Sequence, residues 1–225
     1  MIDDLAIDSV IEECYLFRGT YMKWLLYPFI AFTIVAHAQS VSAQWNAQTS
    51  GTPDHLWAVH FIDATTGWAV GGWVGVPILK TTNGGYTWLG QESGTASWLK
   101  GIAFETPTRG WVVGEDGVII HTSDGGATWI RQASNTVSDL FEVESLGSGR
   151  VVAVGADGTI LRTEDGGASW SRVEGVPNTI YSDIDFYDSS FGCVVGDLGI
   201  ILLTSNGGQN WRQVESPSEL ALNAV

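Results

Sequence analysis

The sequence predicts an all-β fold built from tandem four-stranded antiparallel sheets set as propeller blades. A tryptophan-ending box recurs at a fixed interval, short β-rich runs separated by Gly-containing turns fill each interval, and no sustained apolar period of 3.6 residues follows residue 44.

The box occurs four times, as Thr81 to Trp88, Thr122 to Trp129, Thr163 to Trp170 and Thr204 to Trp211, and the four tryptophans lie 41 residues apart. Upstream of each box stands a second shared element, ending in Val70-Gly71, Val113-Gly114, Val154-Gly155 and Val195-Gly196; the first unit is longer by two residues between Gly71 and Trp88. The second unit shows the strands most plainly. Gly101 to Phe104 alternates, Trp111 to Val113 is β-rich, Asp116-Gly117 signals a hairpin, Val118 to His121 is a third run, and the Gly-Gly turn leads into Trp129-Ile130. Four strands per unit of this length is the pattern of propeller blades rather than of solenoids, whose repeats are usually shorter.

Four complete blades are expected, with partial ones at both ends. Gln44 to Gln48 reads as the last strand of a preceding blade and Leu220 to Val225 as the opening strand of a following one, so residues 44–225 are expected to be a propeller truncated at its C-terminal side. Residues 1–43 read as an N-terminal extension and export signal. Met22-Lys23 precedes an apolar run from Trp24 to Ala36, followed by small-residue cleavage patterns ending at Ala38 and Ala43, and Met22 is the expected true start. The run is too short to span a membrane, so cleavage and a secreted, periplasmic or cell-surface location are expected, with no membrane span afterwards.

Composition narrows the function classes. The net charge is −15, and twenty acids face only eight bases after residue 43, which argues against nucleic-acid phosphates or anionic lipid as partners. The two cysteines, Cys14 and Cys193, make no disulfide framework, and Cys193 reads as a small buried hydrophobe on a second strand. No phosphate loop, zinc spacing or nucleophilic triad is present, so no cofactor, no metal and no catalytic residue is expected.

Within each box, Asn83, Asp124, Asp165 or Asn206 is expected to accept from the backbone N–H two residues on in an Asx-type turn. The glycines supply positive φ, and Trp88, Trp129, Trp170 or Trp211 covers the turn. Four near-identical copies suit a construction element better than one active site. The boxes resemble the bacterial neuraminidase repeat, or Asp-box, with Asn in place of Asp at Asn83 and Asn206. The Gly-Trp-x-Val-Gly element before the first two boxes is similar to that of propellers related to the photosystem II stability and assembly factor. The resemblance covers residues 44–225 and implies that the box lies between the third and fourth strands at the blade periphery.

Three functions are open at this point: an exported, non-catalytic binding or scaffold propeller taking a protein or polysaccharide partner, a glycoside hydrolase, and a photosystem II assembly factor. The sialidase resemblance would imply an arginine triad. Arg131, Arg172 and Arg212 instead follow the box tryptophans onto outer strands, and no Phe/Tyr-Arg-Ile-Pro element is present. The assembly-factor resemblance implies a basic, arginine-rich patch, a point on which this acidic sequence departs from the pattern.

Candidate binding residues come from two groups. Glu142 and Glu144 alternate on one opening strand, Asp183 and Asp185 align with them on the next, and opening strands line a propeller's channel, where acids would repel one another, bind a cation or cleave glycosides. Trp73, in the two-residue expansion of the first unit, and Trp57 and Trp98, flanking opening strands, are expected to dock a partner.

Overall fold

The computed structural model describes residues 47–72 and 78–225. The expected export signal, Trp73 and residues 44–46 of the strand expected at Gln44 to Gln48 lie outside the described residues, and the described pair Ala47 and Gln48 is not in a strand.

Sixteen strands form four antiparallel sheets of four, each in simple sequential order. The first blade contains β1 (Leu56–Phe61), β2 (Gly67–Gly71), β3 (Ile78–Thr81) and β4 (Leu89–Gln91). The second contains β5 (Leu99–Phe104), β6 (Gly110–Gly114), β7 (Ile119–Thr122) and β8 (Ile130–Gln132). The third contains β9 (Leu140–Gly147), β10 (Arg150–Gly155), β11 (Ile160–Thr163) and β12 (Ser171–Arg172), and the fourth β13 (Tyr181–Phe186), β14 (Gly192–Gly196), β15 (Ile201–Thr204) and β16 (Arg212–Val214). The hairpin expected from Asp116-Gly117 forms with both central residues at positive φ, the geometry that matches strand twist, and Asp157-Gly158 and Leu198-Gly199 form the same turn in the third and fourth blades.

Neighbouring blades pack face to face through three apolar cores. Trp68, Val70 and Ile78 of the first blade meet Leu99, Ile102, Phe104, Val112 and Ile120 of the second. Ala103, Trp111, Val113 and Ile119 of the second meet Leu140, Val143, Val151, Ala153 and Leu161 of the third. Leu146, Val152, Val154 and Ile160 of the third meet Tyr181, Ile184, Val194 and Leu202 of the fourth. The main contacts between blades run through the first and second strands, β1 with β5, β5 with β9 and β9 with β13, so the sheets splay outward from a common axis lined by first strands.

At the aligned core position the second blade buries Phe104, which stacks on Trp68 with ring centroids 3.6 Å apart and meets Trp129 edge-on at 6.0 Å. Its counterpart Phe61 is 43% exposed, because no described blade covers that face of the first sheet. Cys193 departs from expectation for the mirror-image reason: on the far side of the fourth blade it is only half-buried. Leu220–Val225 forms no strand. In that segment Leu222 N–H donates to Gly196 O at 2.9 Å and Val225 N–H to Asp183 Oδ2 at 2.8 Å.

The boxes join third to fourth strands, as the resemblance implied, but their hydrogen bonding differs from an Asx turn. Asp124 Oδ1 accepts from Thr128 N–H, four residues on, at 2.8 Å, and the same bond recurs at 3.0 Å from Thr87 to Asn83, 2.9 Å from Ser169 to Asp165 and 3.0 Å from Asn210 to Asn206. The opening threonine does the buried work. Thr122 Oγ1 donates to Asp124 Oδ1 at 2.8 Å and accepts from the N–H groups of Asp124 and Gly126 at 3.2 and 2.8 Å. The reach of four residues follows from two successive glycines at positive φ, Gly125 and Gly126, which widen the loop beyond a two-residue turn. The box carboxylates are held at about 2 in Asp124 and Asp165, first by the Thr128 or Ser169 hydroxyl and then by backbone N–H.

The second, third and fourth boxes are also fastened to the preceding blade, the fourth by Arg162 Nε donating to Gly207 O at 2.8 Å. Gln132 Nε2 on β8 donates to Gly166 O at 2.8 Å, Gln91 to Gly125 O at 3.2 Å and Gln48 to Gly84 O at 3.3 Å, while Trp111 Nε1 reaches Gly166 O and Trp68 Nε1 reaches Gly125 O, both at 3.3 Å. Gln132 Oε1 in turn accepts from Trp170 Nε1 at 3.0 Å. Trp170 thus ties its box to the second blade, a role larger than covering its own turn.

Candidate functional site

A cavity of about 520 Å³ opens at one end of the axis, lined by Trp57, Lys100, Phe141, Glu142, Ile180, Ser182, Asp183 and Asn223. Three of the expected site residues, Trp57, Glu142 and Asp183, are brought together there.

The backbone explains why this end is open. Leu56 pairs with Gly71 and Ala58 with Val70, leaving Trp57 as an extra residue; Lys100, Phe141 and Ser182 are left out of register in the same way on the other three first strands. The Val-Gly element accommodates the bulge. A Cβ on Gly71, Gly114, Gly155 or Gly196 would sit 1.8, 2.1, 2.0 or 2.0 Å from the carbonyl oxygen of His55, Trp98, Asp139 or Ile180, which precedes the bulge. Those carbonyls accept from Gly72, Glu115, Ala156 and Asp197 N–H at 2.8 to 3.1 Å, closing the strand end. The repeated glycine is therefore a steric requirement of the bulge.

Lys100 was missed by sequence reasoning. Its ammonium lies 4.0 Å from the Trp57 ring centre and 4.8 Å from that of Trp98, and 3.4 Å from Glu115 Oε1. Trp98 acts from just outside the cavity. Trp57 is 53% exposed, an aromatic surface held open to solvent on a rigid strand. The signal for Lys100 was its place one residue after the first residue of its opening strand, Leu56, Leu99, Leu140 or Tyr181 in the four blades, a position that only the bulge makes special.

The four carboxylates divide into two pairs. Glu142 and Asp183 line the cavity, whereas Glu144 and Asp185 lie two residues further along β9 and β13 and do not. Glu142 is pushed up to about 7, chiefly by burial and then by Asp183 and Glu144, against a 3.0 Å bond from Val143 N–H that favours the charged form. Glu144 is also pushed to about 7, by burial and then by Asp185 and Asp183. Asp183 Oδ1 accepts from Ile184 N–H at 3.0 Å, the same local bond that Glu142 makes. Among the described residues no group of three or more His, Cys, Asp or Glu side chains is arranged to hold a metal ion, so the four do not form one chelate. Arg131, Arg172 and Arg212 lie exposed on β8, β12 and β16, the fourth strands, away from the cavity. Among the described residues no helix is long and apolar enough to cross a membrane.

Three comparisons bear on this arrangement. Solved structures similar to the chain include "YCF48 bound to D1 peptide", 22% identical with a TM-score of 0.61, covering 76% of this chain and 56% of that one. "YCF48 from Cyanidioschyzon merolae" is 20% identical with a TM-score of 0.60 over 77% of this chain and 60% of the other. The GH74 xyloglucanase from Xanthomonas campestris is 13% identical with a TM-score of 0.58, over 78% of this chain and 32% of the enzyme. These likenesses establish the propeller fold, and the chain spans little more than half the length of the two YCF48 structures. No curated protein matches. The family described as Photosynthesis system II assembly factor YCF48 matches residues 37–172, more than half of the sequence, and its span includes the first three boxes and three of the four bulged strands that open the cavity. By that match the chain belongs to the Photosynthesis system II assembly factor YCF48 family.

Proposed function

We propose that the chain is a non-catalytic, assembly-factor-like propeller that holds a segment of a protein partner at the open end of its axis. The observation that carries this reading is the cavity itself. Four rigidly bulged strands present Trp57, Phe141 and Ile180 as an apolar wall beside the polar groups of Lys100, Glu142, Ser182 and Asp183, which suits an extended segment with mixed side chains. Family membership supports the assembly role, and a D1 peptide, bound by one YCF48 of similar fold, is the natural probe. In the same reading the chain works after export, outside the cytoplasm.

Titrating the D1 peptide onto the purified chain by calorimetry is expected to give saturable binding that Trp57→Ala weakens. Binding that Trp57→Ala leaves untouched would place the partner elsewhere.

A glycoside hydrolase is the second reading. Two carboxyls share the cavity, one with its pKa near 7, as an acid and base pair requires, and the fold is that of a GH74 xyloglucanase. Its partner would be a polysaccharide. Incubation with xyloglucan separates the two, because release of sugar that stops in Glu142→Gln would overturn the non-catalytic reading.

A further inference from the structure

The boxes repeat their chemistry, whereas the bulges repeat only their geometry. Trp57, Lys100, Phe141 and Ser182 occupy one structural position on four strands, each left out of register against the second strand, and all four line the same cavity. A bulge turns one side chain out of the regular alternation, which is how sheets aim a residue at a ligand without disturbing the core. At this position the side chains are an indole, an ammonium, a phenyl and a hydroxyl. Construction needs the backbone device, and nothing in the packing calls for four different groups.

Resting on the partner-binding reading above, we infer that the bulged residues set the specificity of this site, and that the segment they take is an extended peptide presenting an arginine between apolar neighbours. Lys100 does not oppose a cation, because its own charge is paired with Glu115 at 3.4 Å and capped by the Trp57 and Trp98 rings. It is a positioning residue that holds the Trp57 indole. Among the described residues no Lys or Arg forms a salt bridge with Glu142 or Asp183, so the cavity holds two carboxyl groups without a cationic partner beside the Trp57 and Phe141 rings, and a cation bound there would favour the ionised form that burial disfavours in Glu142. A guanidinium satisfies both features. Its flat face lies on an aromatic ring and its fork donates to a carboxylate, which an ammonium, as a point charge, does less well. The net charge of −15 favours the approach of such a segment over an anionic one.

The test uses two capped peptides, identical but for a central arginine in one and citrulline in the other, flanked by leucines. Citrulline keeps the shape and removes the charge. The arginine peptide is expected to bind roughly tenfold or more tightly. That preference should vanish in Glu142→Gln/Asp183→Asn and in Ser182→Lys, which places a cation at a bulge, but persist in Ser171→Lys on the outer strand β12. Phe141→Ala should weaken both peptides. Equal affinity, tighter binding of citrulline or no binding of either peptide overturns the inference. D1-peptide binding that still depends on Trp57 would show that the partner reading survives such a failure. Unchanged thermal melting of each variant guards against misfolding as the cause.

Discussion

Gln132 Nε2 donates to Gly166 O at 2.8 Å while its Oε1 accepts from Trp170 Nε1 at 3.0 Å, so one amide on the outer strand of the second blade holds the box of the third. The geometry rigidifies the blade order from the periphery, leaving the first strands free to carry bulges at the axis. Gln132→Leu keeps the volume and removes both bonds, leaving the Trp170 indole N–H without its partner and Gly166 O with the longer bond from Trp111 Nε1 at 3.3 Å. Urea unfolding is expected to show a loss of about 1–3 kcal/mol. Exposed Arg131→Ala, one residue away, should cost less than about 0.5 kcal/mol.

The opening threonine of the box carries more than the residue for which the box is named. Thr122 is 1% exposed and accepts two backbone N–H bonds, whereas Asp124 lies at the surface. Thr122→Val preserves shape but strands both donors, and about 1–3 kcal/mol of stability is expected to be lost by urea unfolding. Ser123→Ala, exposed in the same turn, is the control and should be near neutral.

Equivalent phenylalanines should respond unequally. Phe104→Ala removes a ring that is 4% exposed and stacked on Trp68, and is expected to cost about 3–5 kcal/mol. Phe61→Ala, at the same repeat position but 43% exposed, should cost far less, and thermal unfolding of the two variants compares them directly.

Two carboxyls make native stability fall as pH rises. Glu142 and Glu144 have folded pKa values of about 7 against an ordinary 4.5. Between those values the native state binds protons that the unfolded chain has released, so stability falls from pH 4.5 towards pH 7. Asp124 and Asp165 act oppositely. Held at about 2, they contribute stability that is present above their ordinary 3.8 and lost as pH falls towards 2. The melting temperature should therefore decline from mildly acidic to neutral pH, and Glu142→Gln/Glu144→Gln should flatten that decline.

The repeat made the blades legible because the box tryptophans and the Val-Gly elements mark the same two places in every sheet. The bulges were not legible. An extra residue is defined by what stands opposite it on the partner strand, and the alternation of Glu142 and Glu144 reads the same whether Phe141 is paired or not. The box bonding was misread for a related reason, since the span from Asp124 to Thr128 depends on the φ values of two glycines rather than on spacing alone. The interblade amides did leave a trace: Gln48, Gln91 and Gln132 each follow a tryptophan by three residues, and Val173 breaks the series in the third unit.

The central claim is that the partner binds where the bulged side chains converge. Calorimetric titration of the D1 peptide onto Phe141→Ala and onto Leu89→Ala tests it, since Phe141 lines the cavity and Leu89 is an exposed residue on the outer strand β4. The account predicts a marked loss of affinity in Phe141→Ala and none in Leu89→Ala; the reverse pattern would contradict it.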